Sequence, residues 1–246
     1  MASRKERTEA LAKDMSIYVS DAHIFTSDAI CLADFCAPRH KDKCCDLGTG
    51  NGIIPMLWIR DFAPKEITGV ELSESAVSLF TKTLEENGLT DRVNIVHCDL
   101  RLLKGVLPNE YYDLVSINPP YKKVGTGIVN EGEDYKNARH EFNCTLDDAA
   151  CAASKLLKFG GRFCICQRPE RLPDIFEAMR KFKIEPKSMR EVIQRIGKEP
   201  SLVLVEGKKG SAPGFRINPP LILEDENGNY TPEAEELFNS YKNKEI

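Results

Sequence analysis

Asp46-Leu47-Gly48-Thr49-Gly50-Asn51-Gly52 decides how this chain is read, because it lies between a short apolar run, Lys43–Leu47, and a bulky run of helical length over residues 53–62. Glycines at alternate positions let the backbone turn tightly, approach a ligand closely and leave amides exposed at a helix N-terminus. Strand, glycine turn, helix is the opening of a βα unit. In the same place a dehydrogenase carries G-x-G-x-x-G. Here the glycines run G-x-G-x-G behind an aspartate, which suits the amino-acid end and ribose of S-adenosylmethionine better than a pyrophosphate. Asp46, Gly48, Thr49, Gly50 and Gly52 are therefore candidate cofactor contacts. The competing reading is a tight turn with no ligand.

Working outward, residues 66–72 form a second strand that ends at Glu71 and Leu72, and Ser73 caps a helix whose Ala76, Val77, Phe80 and Leu84 share one face before Gly88 ends it. Residues 93–98 form a third strand, followed by Asp99 and Leu100, and Tyr112–Ile117 a fourth, followed by Asn118. Thr145 with Asp148 predicts a capped helix that runs to Leu157, after which Gly160 and Gly161 turn the chain into a fifth strand. Five βα units imply a parallel, buried sheet. Leu172–Lys181 reads as a helix, and residues 187–194 with 202–206 read as an edge hairpin. The proline- and acid-bearing stretch from Gly210 onward is expected to pack loosely or only at its start.

In open α/β sheets ligands lie beyond the carboxyl ends of the strands. Glu71 stands there as an acceptor for both ribose hydroxyls of a nucleoside. Asp99 either accepts from an adenine amine or caps the turn that follows, and Leu72 and Leu100 accompany these acids as cofactor contacts. Asn118-Pro119-Pro120-Tyr121 moves the reading from binding to reaction. A planar conjugated amine is a poor nucleophile, and acceptors on both of its N–H bonds encourage pyramidalisation. The Asn118 side-chain carbonyl and the Pro119 backbone carbonyl supply two acceptors, the prolines stiffen the loop, and Tyr121 offers a stacking face. Ile217-Asn218-Pro219-Pro220-Leu221 repeats the tripeptide without a clear preceding strand or following aromatic, and is read as a surface turn.

The 246 residues carry a formal charge of −4 and are 41% hydrophobic, enough for one sizeable α/β domain with small additions. An acidic balance means that any nucleic-acid contact needs a local basic patch. No stretch approaches the roughly 18 apolar residues of a membrane span, and the charged start MASRKERTEALAKD has no apolar run behind it, so a cytoplasmic protein is expected. Cys44, Cys45, Cys98, Cys164 and Cys166 lie in apolar runs and are read as small hydrophobes. No ligand pairs stand at zinc spacing, so no metal site is expected.

DLGTGNGIIPML, GVEL, CDL, SINPPY, Ala138-Arg139-His140-Glu141, GGRF and LVLVEGKKG, in that order, resemble the bacterial tRNA-valine adenine-N6 methyltransferase family in its Gram-positive-like form. The resemblance implies a class I, Rossmann-like seven-stranded sheet of order 3-2-1-4-5-7-6, its last strand antiparallel and helices on both faces. It implies an N-terminal extension (1–40) that closes over the cofactor, a methyltransferase domain (41–210) and a C-terminal extension (211–246). S-adenosylmethionine is the implied cofactor and an adenine N6 amine in tRNA the implied acceptor. Asp46, Gly48, Glu71 and Asp99 are implied cofactor contacts, with Thr26 and Asp28 closing over the methionine end. Residues 122–140 are expected to form a lid, in which Arg139 and His140 either touch phosphate or base or begin a solvated helix. Two alternatives remain open. NPPY also occurs in enzymes that methylate a glutamine amide of release factors, although the stretch before Lys43 is short for their recognition domain. A nucleotide- or RNA-binding module without catalysis is the other. An NAD-dependent dehydrogenase is less favoured, since nothing after residue 122 is read as a second domain for a hydride acceptor.

Overall fold

The computed structural model describes residues 6–119 and 144–243. Six helices and eleven strands are described. After a hairpin of β1 (Arg7–Ala12) and β2 (Met15–Val19) come α1 (Ser27–Cys36), β3 (Lys43–Leu47), α2 (Ile53–Asp61), β4 (Glu66–Glu71), α3 (Glu74–Glu86), β5 (Val93–His97) and β6 (Tyr112–Ile117). Then follow α4 (Leu146–Leu156), β7 (Leu157–Gln167), α5 (Leu172–Lys181), β8 (Ile184–Arg195), β9 (Pro200–Lys209), β10 (Arg216–Ile217), β11 (Leu221–Glu224) and α6 (Pro232–Asn243).

The central sheet is mixed and has nine strands rather than seven, in the order β10-β8-β9-β7-β6-β3-β4-β5, with β11 also on β8. Strands β3 to β7 run parallel to one another, and β9 is antiparallel to both β7 and β8. Both faces are covered, so the central strands are apolar on both sides. Successive side chains of a strand point to opposite faces, and Cys44 and Cys45 accordingly belong to two separate cores. Cys44 packs among α1, α2, α3, α6 and the hairpin; Cys45 packs among α4, α5 and the residue 100–107 loop. Cys164 and Cys166 are buried as expected of small hydrophobes, whereas Cys98 is half-buried.

Three sequence expectations change, and the N-terminal segment is seen to be built into the fold: Met15, Ile17 and Val19 are buried, Asn87 at the C-cap of α3 bonds both the amide and the carbonyl of Ser16, and Thr83 receives the Tyr18 amide. The helix α4 passes directly into β7 at Leu157, whose pairing with Tyr112 starts the strand, and Gly160 lies inside the strand at φ 79°. The segment after Gly210 is not loose. Residues Leu221, Leu223, Ala234 and Phe238 enter the core, because β10 and β11 extend the sheet along β8 and α6 closes over them. The second Asn-Pro-Pro, residues 218–220, does follow a strand, a two-residue one, and joins it to β11; the Asn218 amide donates to Met189 and the Arg190 guanidinium to Pro219.

Candidate active site

Register fixes the site before any side chain is considered. Leu47 pairs with Val70 on one side and with Ile117 on the other, so Gly48, Glu71 and Asn118 leave three neighbouring strands at one level. Glu71 pairs with His97, which brings Asp99 to the same edge. Adjacent strands are about 4.8 Å apart, and the tips therefore crowd around one short arc.

The loop after β3 takes its shape from glycine. Gly48, Gly50 and Gly52 all adopt left-handed conformations, at φ 66°, 59° and 88°, which side chains with a Cβ resist. Gly52 carries a second constraint: a Cβ there would stand 2.1 Å from the ring of Phe80. The loop is pinned to β4 by the Thr49 amide, which donates to Val70 at 3.0 Å, and to the hairpin by the Asn51 side chain, which donates to Tyr18 at 3.0 Å. Its last glycine is the N-cap of α2, where no side chain caps the first amides.

Asp46 is fully buried one residue before the turn. Its Oδ1 accepts from the Ser116 hydroxyl at 2.6 Å, while its Oδ2 and the Thr49 hydroxyl have no hydrogen-bond partner. Burial pushes its carboxyl up to about 7, opposed by the Ser116 bond and by the nearby Thr49 hydroxyl, with the Glu71 carboxylate adding a smaller rise. An ammonium group held near the loop would supply what this acid lacks.

Glu71 is only 2% exposed and turns back toward the loop. One oxygen accepts the Gly50 amide at 2.7 Å; the other accepts the amides of Leu72 and Ser73, each at 2.8 Å. A carboxylate has about four acceptor sites, so three are already used. Burial raises its pKa and the three amides hold it down. Asp99 caps the short turn at Leu100–Leu102 by accepting the Arg101 amide at 2.8 Å, and it pairs with the Arg101 guanidinium, which lowers its pKa. The capping role left open by the sequence is thus taken up.

A shallow cleft opens at this edge. Gly48, Leu72, Asp99 and Leu100, four of the residues singled out from sequence, line it together. Val70, Cys98, Arg101 and Cys144 complete the lining and were not foreseen; the Asp99-x-Arg101 pairing was the available signal for one of them. Asn118 is half-buried and Pro119 buried at the tip of β6. Thr26 is exposed at the N-terminus of α1 and Asp28 is half-buried in its first turn; neither lines the cleft. Pro120, Tyr121, Arg139, His140 and the rest of the expected lid lie outside the described residues. Among the described residues no group of three or more His, Cys, Asp or Glu could hold a metal ion, and no helix is long and apolar enough to cross a membrane.

The cleft, the glycine turn and the strand-end acids fit a nucleoside bearing an amine. A family model described as a methyltransferase domain matches residues 38–211. This chain belongs to that methyltransferase domain family. The methyltransferase is 27% identical over 200 residues to the tRNA1(Val) (adenine(37)-N6)-methyltransferase of Porphyromonas gingivalis, covering 80% of this chain and 76% of that one. It is 32% identical to the release factor glutamine methyltransferase of Rhodopirellula baltica, over 76 residues only, 31% of this chain and 25% of that one. Among solved structures, a predicted O-methyltransferase from Agrobacterium tumefaciens superposes with a TM-score of 0.71 at 22% identity, covering 88% of this methyltransferase and 98% of that chain.

Proposed function

We propose that this methyltransferase uses S-adenosylmethionine to methylate the N6 amine of an adenine in tRNA, as an enzyme of the cytoplasm. The observation that carries the reading is the common level of Gly48, Glu71 and Asn118 at the carboxyl edge, fixed by the pairing of Leu47 with Val70 and Ile117. The likeness to an enzyme named for tRNA adenine-N6 methylation, over most of both chains, supports it.

The residues present fit the cofactor. Asp46, with an unpartnered buried oxygen, would face its amino group; Gly48, Thr49, Gly50 and Gly52 would cradle it; Asp99, Leu72 and Leu100 would flank its adenine. Glu71 would hold its ribose after releasing the Gly50 amide. Thr26 and Asp28 are assigned to its methionine end from resemblance alone. When bound, S-adenosylmethionine supplies an already activated methyl group, so the protein needs no strong base. The chain's own part is alignment and hydrogen bonding. The Asn118 side-chain carbonyl and the Pro119 carbonyl accept the two N–H bonds of the acceptor amine, localising its lone pair. Pro120 stiffens the loop and Tyr121 stacks the base, with Arg139 and His140 assigned to the substrate by sequence.

We read β3 to β9 as the seven-stranded class I unit, of order 3-2-1-4-5-7-6, and β10 and β11 as an edge addition. On the same reading residues 1–40, 41–210 and 211–246 are the N-terminal extension, the catalytic domain and the C-terminal extension.

The test is mass spectrometry of nucleosides from individual tRNAs of a deletion strain. N6-methyladenosine should vanish from one tRNA and return with the wild-type chain, but not with Asn118→Ala. An unchanged tRNA profile with undermethylated release factors would replace this function by glutamine methylation, the reading that the shorter likeness to the Rhodopirellula enzyme favours.

A further inference from the structure

A groove of about 240 Å³ lies next to the cleft, between the residue 100–109 loop and α4. It shares Leu100 and Arg101 with the cleft, so the two adjoin. At 11 residues α4 makes the groove's long wall, about 16 Å at 1.5 Å per residue. That is room for a few nucleotides of backbone.

Its charge runs against that of the whole chain. Arg101, Lys104 and Lys155 line it against one acid, Asp148. The Asp148 Oδ2 is already committed to the cap of α4, accepting from the Thr145 amide and hydroxyl at 3.0 and 2.7 Å. Arg101 pairs with Asp99. Among the described residues neither Lys104 nor Lys155 forms an ion pair, and both are exposed. Leu103 and Leu107 anchor the loop in the core, so Lys104 projects from a fixed backbone. On the same loop Leu102 and Val106 are 67% and 50% exposed, which offers aliphatic contact beside the cations. On a chain of charge −4, a polyanion needs such a local strip.

We propose that this groove is the track for the phosphate backbone flanking the target base, with Lys104 and Lys155 as phosphate contacts. The proposal rests on the reading that the acceptor is RNA. Phosphate contacts set register and affinity without reading sequence, a task separate from holding the target base, which falls to Asn118 and Pro119.

The probe is a fluorescently labelled, unmodified valine tRNA transcript, titrated with wild type, Lys104→Gln/Lys155→Gln and Lys104→Glu/Lys155→Glu between about 50 and 200 mM salt. The neutralised variant should bind more weakly and show a salt slope of log K shallower by about 1.4, the release of counterions from two single-stranded phosphates. The reversed variant should bind more weakly still. S-adenosylhomocysteine affinity, measured by calorimetry, should match the wild type in both. Wild-type affinity and slope in the variants would overturn the groove while leaving methylation of tRNA intact. Loss of S-adenosylhomocysteine binding together with RNA binding would make the lysines structural and overturn it too. A wild-type chain that methylates a release-factor glutamine and no tRNA would remove both this inference and the function beneath it.

Discussion

Replacing Asp46 with Asn removes the charge of the buried acid and keeps its shape. Burial moves its carboxyl from the ordinary 3.8 up to about 7, so within that window the folded chain binds a proton that the unfolded chain has released. Stability falls with rising pH wherever the folded state holds more protons, and here the loss is complete above about 7. Between pH 5 and 7 the slope is about 1.4 kcal/mol per unit, a total of about 3 kcal/mol. Asn keeps the acceptor for Ser116 and sets a donor in place of the unpartnered Oδ2, close to the equally unpartnered Thr49 hydroxyl. Urea unfolding of both proteins should therefore show Asp46→Asn gaining about 3 kcal/mol on the wild type between pH 5 and 8. A gap that stays constant across that range refutes the argument. The same acid predicts how the ligand behaves. Binding of S-adenosylhomocysteine, whose amine favours the charged form of Asp46, should tighten in the wild type from pH 6 to 8, and should be weaker and less pH-dependent in the variant.

Further outcomes follow from the loop and its supports. Gly52→Ala, whose Cβ would stand 2.1 Å from the Phe80 ring, should cost several kcal/mol, about 3 or more, against about 1 kcal/mol for Gly50→Ala, where space is open and only the left-handed φ is strained; chemical denaturation separates them. Asn51→Ala strands the Tyr18 carbonyl and should cost about 1–3 kcal/mol, with hydrogen exchange quickened in β2 ahead of the sheet. Asn118→Ala should lower kcat on the order of 10²-fold, as for loss of one preorganised partner, with S-adenosylhomocysteine affinity unchanged; equal kcat would remove Asn118 from the chemistry.

Much of the site was legible because its backbone demands are local. Three glycines two residues apart fall on three left-handed positions, and short apolar runs ending on Glu71, Asp99 and Asn118 become parallel strands ending at one edge. What escaped was set by distant partners. The alternation of Met15, Ile17 and Val19 is five residues long and gains its meaning only when Thr83 of α3 and Asn87 at its C-cap receive the strand. Leu221 and Leu223 are too brief a signal amid prolines, and it is β8 that draws them in. The inward turn of Glu71 depends on where three amides happen to point, which residue type does not encode.

Phe80 has a consequence beyond stability. Its ring occupies the space that a Cβ would need at Gly52 and crowds the one at Gly69, where the nearest ring carbon lies 3.0 Å away. The three positions are linked in heredity: a lineage that keeps the large ring must keep both glycines, while one that trades it for a smaller side chain lifts one obstacle at each, leaving the left-handed φ of Gly52 and the Thr49 methyl 2.9 Å from a Cβ at Gly69. Substitutions at 52 and 69 should therefore accumulate only in descendants that have already changed 80.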